Sequence, residues 1–192
     1  MSEREINPNQ PFIPNSCKVL IIGTMPPKKA YDGKPDFFFY GSRDSQFWKI
    51  IDSIFKTSLY SGQVSKENTA DKKCFLEKYK IGLFDIIKET ERKIQNALDG
   101  NLKNQQVGDL KYIFNYYRDN VKDINAILIP KQLFKDYFTK KWKYPNNFEF
   151  AKDHANKIKQ IPSFSKRNRE AFENKLRDYK ELFKACNVCP IV

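Results

Sequence analysis

The sequence predicts an α/β protein: one three-layer α/β/α domain around a central, mainly parallel sheet of about four strands. Three observations predict it. Short apolar runs at 19–22, 81–87, 124–129 and 158–161 are separated by long segments, and Gly or Pro ends several of them, which reads as buried strands. Apolar residues between these runs recur at helical spacing. Strands that alternate with helices imply a parallel sheet with helices on both faces. The chain has 192 residues, enough to bury a substantial core. It shows neither repeats nor a composition break, so residues 1–192 read as a single domain, with 1–16 as an N-terminal arm.

The elements follow in order. The arm is polar and punctuated by prolines, and Phe12, Ile13 and Pro14 are its means of packing on the core. Val19-Leu20-Ile21-Ile22 is the first strand, ended abruptly by Gly23-Thr24-Met25-Pro26-Pro27. A rigid loop at the carboxyl end of a strand is where α/β proteins place ligands. The run Phe38-Phe39-Tyr40-Gly41-Ser42-Arg43-Asp44-Ser45-Gln46-Phe47-Trp48 then enters a helix marked by Phe47, Ile51, Ile54 and Phe55. Residues 57–73 are polar and suit a surface excursion. Ile81-Gly82-Leu83-Phe84-Asp85-Ile86-Ile87 reads as a strand or as its transition into a helix. From 88 to 106, charged and amide residues suggest an exposed loop or irregular helix. Leu110, Ile113, Phe114 and Tyr117 mark a helix, and Ile124 to Ile129 a third strand ended by Pro130. Leu133, Phe134, Tyr137 and Phe138 mark another helix, and Ile158-Lys159-Gln160-Ile161 a fourth strand. Pro162-Ser163-Phe164-Ser165 breaks that strand, leaving Ser165 to cap a helix. That helix has Phe172, Leu176, Tyr179 and Phe183 on its apolar face and its basic residues elsewhere.

The 40 % hydrophobic and 15 % aromatic content argues against a disordered chain. A formal charge of +12 favours a polyanionic partner such as nucleic acid. No apolar run is long enough to span a bilayer, and Met1-Ser2-Glu3-Arg4-Glu5 lacks a signal-peptide pattern, so the expectation is a cytoplasmic protein with no membrane partner. Cys17 and Cys74 are isolated in sequence, and the Cys186-x-x-Cys189 pair has no nearby His or second pair. Reduced thiols and no metal are therefore expected.

The strand, the Gly23-x-x-Pro26 loop, the aromatic-rich loop and the Ser45-Gln46-Phe47-Trp48 helix start resemble the opening of the uracil-DNA glycosylase superfamily, particularly its hypoxanthine-DNA glycosylase and mismatch-specific branches. Gly82-Leu83-Phe84-Asp85 resembles that family's Gly-Leu-aromatic-Asp segment. Pro162-Ser163-Phe164-Ser165-Lys166-Arg167-Asn168 is similar to the hypoxanthine branch's Pro-Ser-x-Ser-x-x-Asn loop. The resemblance runs roughly from Phe12 to Tyr179. It implies hydrolysis of the N-glycosidic bond of a deaminated base, uracil or hypoxanthine, in DNA, with water and no cofactor.

On that resemblance, Gly23, Thr24, Met25, Pro26, Phe38, Phe39, Tyr40 and Asp85 form the base pocket, with the aromatic residues as a stacking wall. Ser45 matches the position of the hypoxanthine branch's catalytic Asn; its hydroxyl can hydrogen-bond a water. Asp44 beside it is suited to act as a general base or to stabilise a cationic sugar. Ser163, Phe164, Ser165, Lys166, Arg167, Asn168 and Arg169 face DNA, Phe164 as a wedge and the basic residues on phosphates. The chain departs from the family at three positions: Met25 stands where the mismatch-specific branch, unlike some others, carries Asn, Ser45 where the hypoxanthine branch carries Asn, and Ile161 where some relatives carry a catalytic His.

Each assignment has a structural alternative. Asp44 or Ser45 can serve only to cap the following helix, and Asp85 can do the same for the next helix. Phe38, Phe39 and Tyr40 can close the core, where Trp48 also belongs. His154 reads as a surface residue. Two other functions stay open beside the glycosylase: a DNA- or damaged-base-binding module that does not cleave, and a small-molecule- or protein-binding domain on the same scaffold.

Overall fold

The computed structural model describes residues 3–60, 66–92, 102–165 and 171–188. Its central sheet contains β2 (Val19–Gly23), β3 (Ile81–Asp85), β6 (Ala126–Pro130) and β7 (Ile158–Ile161). These four strands are all parallel, in the order β3-β2-β6-β7. Every residue of β2 is buried, as expected for a strand covered on both faces. The pleat sends alternate side chains to opposite sides. Val19, Ile21, Ile81, Leu83, Ala126 and Leu128 enter one apolar cluster; Leu20, Ile22, Phe84, Ile127 and Ile129 enter the other.

Helices α2 (Phe47–Phe55), α3 (Lys66–Tyr79) and α8 (Phe172–Ala185) supply the first cluster. Phe47 and Trp48 are essentially inaccessible, and burying rings of this size contributes about 2–3 kcal/mol each. The Trp48 indole N–H donates to the Phe39 carbonyl at 2.8 Å, so its polar atom is satisfied inside the core. Helices α4 (Leu110–Tyr116), α6 (Lys131–Tyr137) and α7 (Pro145–Asp153) cover the other face. Short helices α1 (Lys28–Tyr31) and α5 (Arg118–Val121) complete the set among the described residues.

The structure departs from the sequence reading in three segments. The arm and the described parts of 88–106 contribute to a second, antiparallel sheet built from β1 (Glu3–Ile6), β4 (Ile87–Arg92) and β5 (Leu102–Val107), in the order β1-β4-β5. Its strands are polar because much of this sheet faces water, and the groups turned inward include Glu5, Asn7 and Thr90. Thr90 satisfies its hydroxyl on the Lys103 carbonyl at 2.8 Å. Residues 66–73 of the polar stretch 57–73 belong to α3, which needs only residues such as Phe75 and Leu76 to reach the core. Ser165 does not cap α8, which begins at Phe172 with Ala171 at its N-cap.

Lys72 of α3 is buried with its ammonium 5.1 Å from the centre of a Trp48 ring. Burial pulls its pKa down to about 8, and the charge of Asp52 offsets only part of that. The native state therefore releases this proton near pH 8, whereas the unfolded chain keeps it to the ordinary value of 10.5. The unfolded state binds more protons between those limits, so this group makes stability rise with pH there. Urea unfolding of the wild type should show that rise relative to Lys72→Met; parallel pH profiles for the two proteins would contradict the assignment.

Candidate active site

The carboxyl ends of all four parallel strands open onto one cavity of about 490 Å³. Gly23 ends β2 and leads into Thr24 to Pro27, Asp85 ends β3, Pro130 ends β6 and leads into Lys131 to Leu133, and Ile161 ends β7 and leads into Pro162 to Ser165. Phe37, Tyr40, Ser42, Asp44 and Ser45 of the aromatic loop close one side, and Asn9 of the arm another. The volume lies within the roughly 300–1,000 Å³ range of small-molecule sites. Position and size both mark the cavity as the candidate site of an open α/β sheet.

Gly23 sets how closely the site can assemble. A Cβ there would collide with the Asp85 carboxylate and lie 3.0 Å from the Tyr40 hydroxyl oxygen. Only a residue without a side chain lets the end of β3 and the aromatic loop meet over the end of β2. The arm holds the Asp85 carboxylate: Asn9 Nδ2 donates to Oδ2 at 2.9 Å, and Asn7 Nδ2 approaches the same atom at 3.5 Å while donating to the Ile87 carbonyl at 2.8 Å. The Tyr40 hydroxyl oxygen is buried and has no hydrogen-bond partner among the described residues. Burial, reinforced by the Asp85 charge, pushes its pKa well above the ordinary tyrosine value, so the phenol stays neutral.

Tyr40 adopts the left-handed backbone region, with φ of 57°. The turn separates it from Phe38 and Phe39, both assigned above to the base pocket. Those two rings lie in the core, at right angles to each other with centroids 5.2 Å apart, and do not line the cavity. Phe37 lines it instead. Phe164 is only 4 % exposed. It packs against Tyr40 at 5.0 Å, Phe47 at 4.9 Å and Tyr179 at 4.6 Å. An aromatic ring held on three sides anchors its loop, which corrects its assignment as a wedge.

Among the remaining site residues named from sequence, Thr24, Met25, Pro26, Ser163 and Ser165 line the cavity. Asp44 Oδ2 lies 4.0 Å from the Lys29 ammonium at the rim. The Ser45 hydroxyl accepts from the Phe47 amide at 3.2 Å, so Ser45 does assist the start of α2 as well as face the cavity. Lys166, Arg167, Asn168 and Arg169 lie outside the described residues, as does Cys189. Ile161 is fully buried beside the cavity, and Met25 nearly so. His154 is remote from it, half-buried, with Nδ1 2.9 Å from the Phe150 carbonyl.

The loops after β7 and before α2 are fastened to each other. Ser45 pairs with Ser165 in an antiparallel bridge, and the Gln46 amide donates to the Phe164 carbonyl at 2.7 Å. From α8, the Tyr179 hydroxyl donates to the Pro162 carbonyl at 2.6 Å, and Lys175 Nζ donates to Gln46 Oε1 at 2.8 Å and the Ser165 carbonyl at 3.0 Å. Asn9, Phe37, Gln132 and Lys175 were absent from the sequence assignment. Asn9 and Lys175 act through contacts 76 and 129 residues away, which leave no local pattern.

Of the described thiols, Cys17 and Cys186 are buried and Cys74 is exposed; burial pushes the Cys17 pKa up to about 12. Among the described residues, no three His, Cys, Asp or Glu side chains gather in a metal-binding group, and no helix is long and apolar enough to cross a membrane.

No protein-family model matches the sequence, and no curated protein matches it either. Among solved structures, the chain is similar to the solution NMR structure of a "putative Uracil DNA glycosylase" from Methanosarcina acetivorans, with a TM-score of 0.66. The match covers 96 % of this chain and 99 % of that one at 17 % identity. That likeness shows the fold alone: the two chains share an α/β/α domain, built here around a four-stranded parallel sheet.

Tyr179→Phe removes the donor to the Pro162 carbonyl while keeping the ring against Phe164. Leaving a buried carbonyl unpaired costs about 1–3 kcal/mol. Chemical denaturation should register a loss of that size; an unchanged midpoint would mean that this bond does not secure the loop.

Proposed function

We propose that this protein is a monofunctional DNA glycosylase that hydrolyses the N-glycosidic bond of a deaminated base, uracil or hypoxanthine, in DNA. The observation that carries this reading is the convergence of the Gly23–Pro27, Asp44–Ser45, Asp85 and Pro162–Ser165 segments on one cavity at the strand ends. Residues far apart in the chain, named from the superfamily resemblance, meet in one place, and the fold likeness points the same way.

A base must leave the DNA stack before its glycosidic bond can be reached. In this reading the extruded base enters the cavity against Phe37 and Tyr40, and Asp85 and Thr24 offer polar groups to its edge. Water attacks C1′ of the sugar as the bond to the base nitrogen breaks, and the base leaves with that electron pair. The sugar gains positive charge during this step, which the Asp44 carboxylate stabilises, or Asp44 takes the proton of the attacking water. The Ser45 hydroxyl accepts from Phe47 N–H and still has its own proton and a second lone pair for a water. The net charge of +12 draws the polyanion, and Lys166, Arg167 and Arg169 meet phosphates.

A second reading, a module that binds DNA or a damaged base without cleaving it, is favoured by Met25 and Ile161. These apolar side chains border the cavity where relatives carry polar catalytic groups.

Duplexes carrying a single uracil, hypoxanthine or xanthine test the two readings. Excision supports the glycosylase; binding without excision across that panel supports the module. If excision occurs, Asp44→Asn should lower the single-turnover rate on the order of 10²-fold or more. Ser45→Ala should lower it separately, and Ser45→Asn should raise it by restoring an amide. Unchanged rates for Asp44→Asn and Ser45→Ala would overturn the catalytic assignment.

Replacing Lys166, Arg167 and Arg169 together with Ala should weaken duplex binding and flatten its dependence on salt, because fewer counterions are released. An unaltered salt slope in a folded variant would remove these residues from the DNA surface.

A further inference from the structure

Lys175 breaks two local rules. It is fully inaccessible to solvent, although a buried ammonium costs several kcal/mol unless hydrogen bonds compensate it. It is also the fourth residue of α8, near the positive end of the helix dipole, where a cation is disfavoured. Positions that break such rules concentrate at functional sites. The ammonium donates to Gln46 Oε1 at 2.8 Å and the Ser165 carbonyl at 3.0 Å. Gln46 precedes α2 and follows Ser45; Ser165 is Ser45's partner in the bridge. One cation thus touches both sides of the seam between two cavity walls.

We propose that Lys175 is a positioning residue that locks the Ser45 wall and the Ser165 wall into a single unit, so that both serine hydroxyls keep fixed places on the cavity. Its kinetic consequence rests on the glycosylase reading, whereas the locking itself does not. A neutral side chain of similar length fills the same space but cannot donate to two oxygens. Among the described residues, the hydrogen bonding across the seam then falls back to the bridge and the 2.7 Å bond from the Gln46 amide to the Phe164 carbonyl, beside the packing of Phe164 on Tyr40 and Phe47.

The test compares the full-length wild type with Lys175→Met, Gln46→Met and the double variant. Hydrogen exchange at the Gln46 amide reads the seam directly. It should accelerate in all three variants while amides in the middle of α8 keep their protection. The double variant should exchange no faster than Lys175→Met alone, because both changes break one connection. On a uracil- or hypoxanthine-containing duplex, Lys175→Met should lower single-turnover excision roughly 10- to 100-fold through misplacement of the serines. Affinity for a duplex bearing a stable abasic-site analogue should stay within about threefold.

Unchanged exchange at Gln46, or additive effects in the double variant, would overturn the proposal. If Lys175→Met does not fold, Gln46→Met decides the matter alone, because its side chain is only partly buried. Accelerated exchange in a protein that excises none of these bases would uphold the lock and refute the glycosylase reading. Excision unaffected by Lys175→Met would refute its role in the reaction.

Discussion

The architecture depends on β2 being buried on both faces. Five consecutive residues, Val19 to Gly23, are buried, and the pleat divides the side chains of Val19 to Ile22 between the two cores. Hydrogen bonding to β3 on one side and β6 on the other satisfies the backbone groups that burial would otherwise leave unpaired. The strand must also end without a side chain. Gly23 lies where the Asp85 carboxylate and the Tyr40 hydroxyl approach the backbone, so the residue that closes the strand also opens the site.

Around that point the cavity is walled by loops whose own stability comes from aromatic packing. Tyr40, Phe47, Phe164 and Tyr179 form a chain of rings with neighbouring centroids 4.5 to 5.0 Å apart. Aromatic pairs in such geometry contribute about 0.5–1.5 kcal/mol beyond their buried area. The aromatic loop thus meets the β7 loop through side chains, through the Ser45–Ser165 bridge and through Lys175. Loops that carry polar groups for chemistry need such support to hold those groups in place.

How much could be read from the chain depended on where the physical signal lay. The parallel strands were legible because double burial produces uninterrupted apolar runs such as Val19-Leu20-Ile21-Ile22 and Ala126-Ile127-Leu128-Ile129. Helix α2 was legible from Phe47, Ile51, Ile54 and Phe55, all of them buried. The antiparallel sheet was not, because β4 reads Ile-Lys-Glu-Thr-Glu-Arg and turns polar residues to both sides. Within the cavity, the loops after β2 and β7 announced themselves through Gly, Pro and Ser. Phe38 and Phe39 misled because a left-handed turn at Tyr40 separates neighbours that look equivalent in sequence. Lys175 looked like one more solvated lysine on an amphipathic helix, and only its long-range partners distinguish it.

The arm carries a consequence for the order in which the molecule can be completed. Asn7 bonds to Ile87 across 80 residues, and β1 pairs along the outside of β4. During synthesis, residues 3–9 emerge and must remain unpaired until β3 and β4 have followed them. The cavity is later still, because its β7 wall comes more than 60 residues beyond β4. Contacts of such long sequence separation form slowly, since the chain loses loop entropy before packing repays it. The nascent protein therefore passes through a stage in which the Gly23 loop and Asp85 exist without the wall that completes their cavity, and a polar, β-pairing arm is exposed to other chains. Its three charged residues, Glu3, Arg4 and Glu5, disfavour edge-to-edge association during that interval.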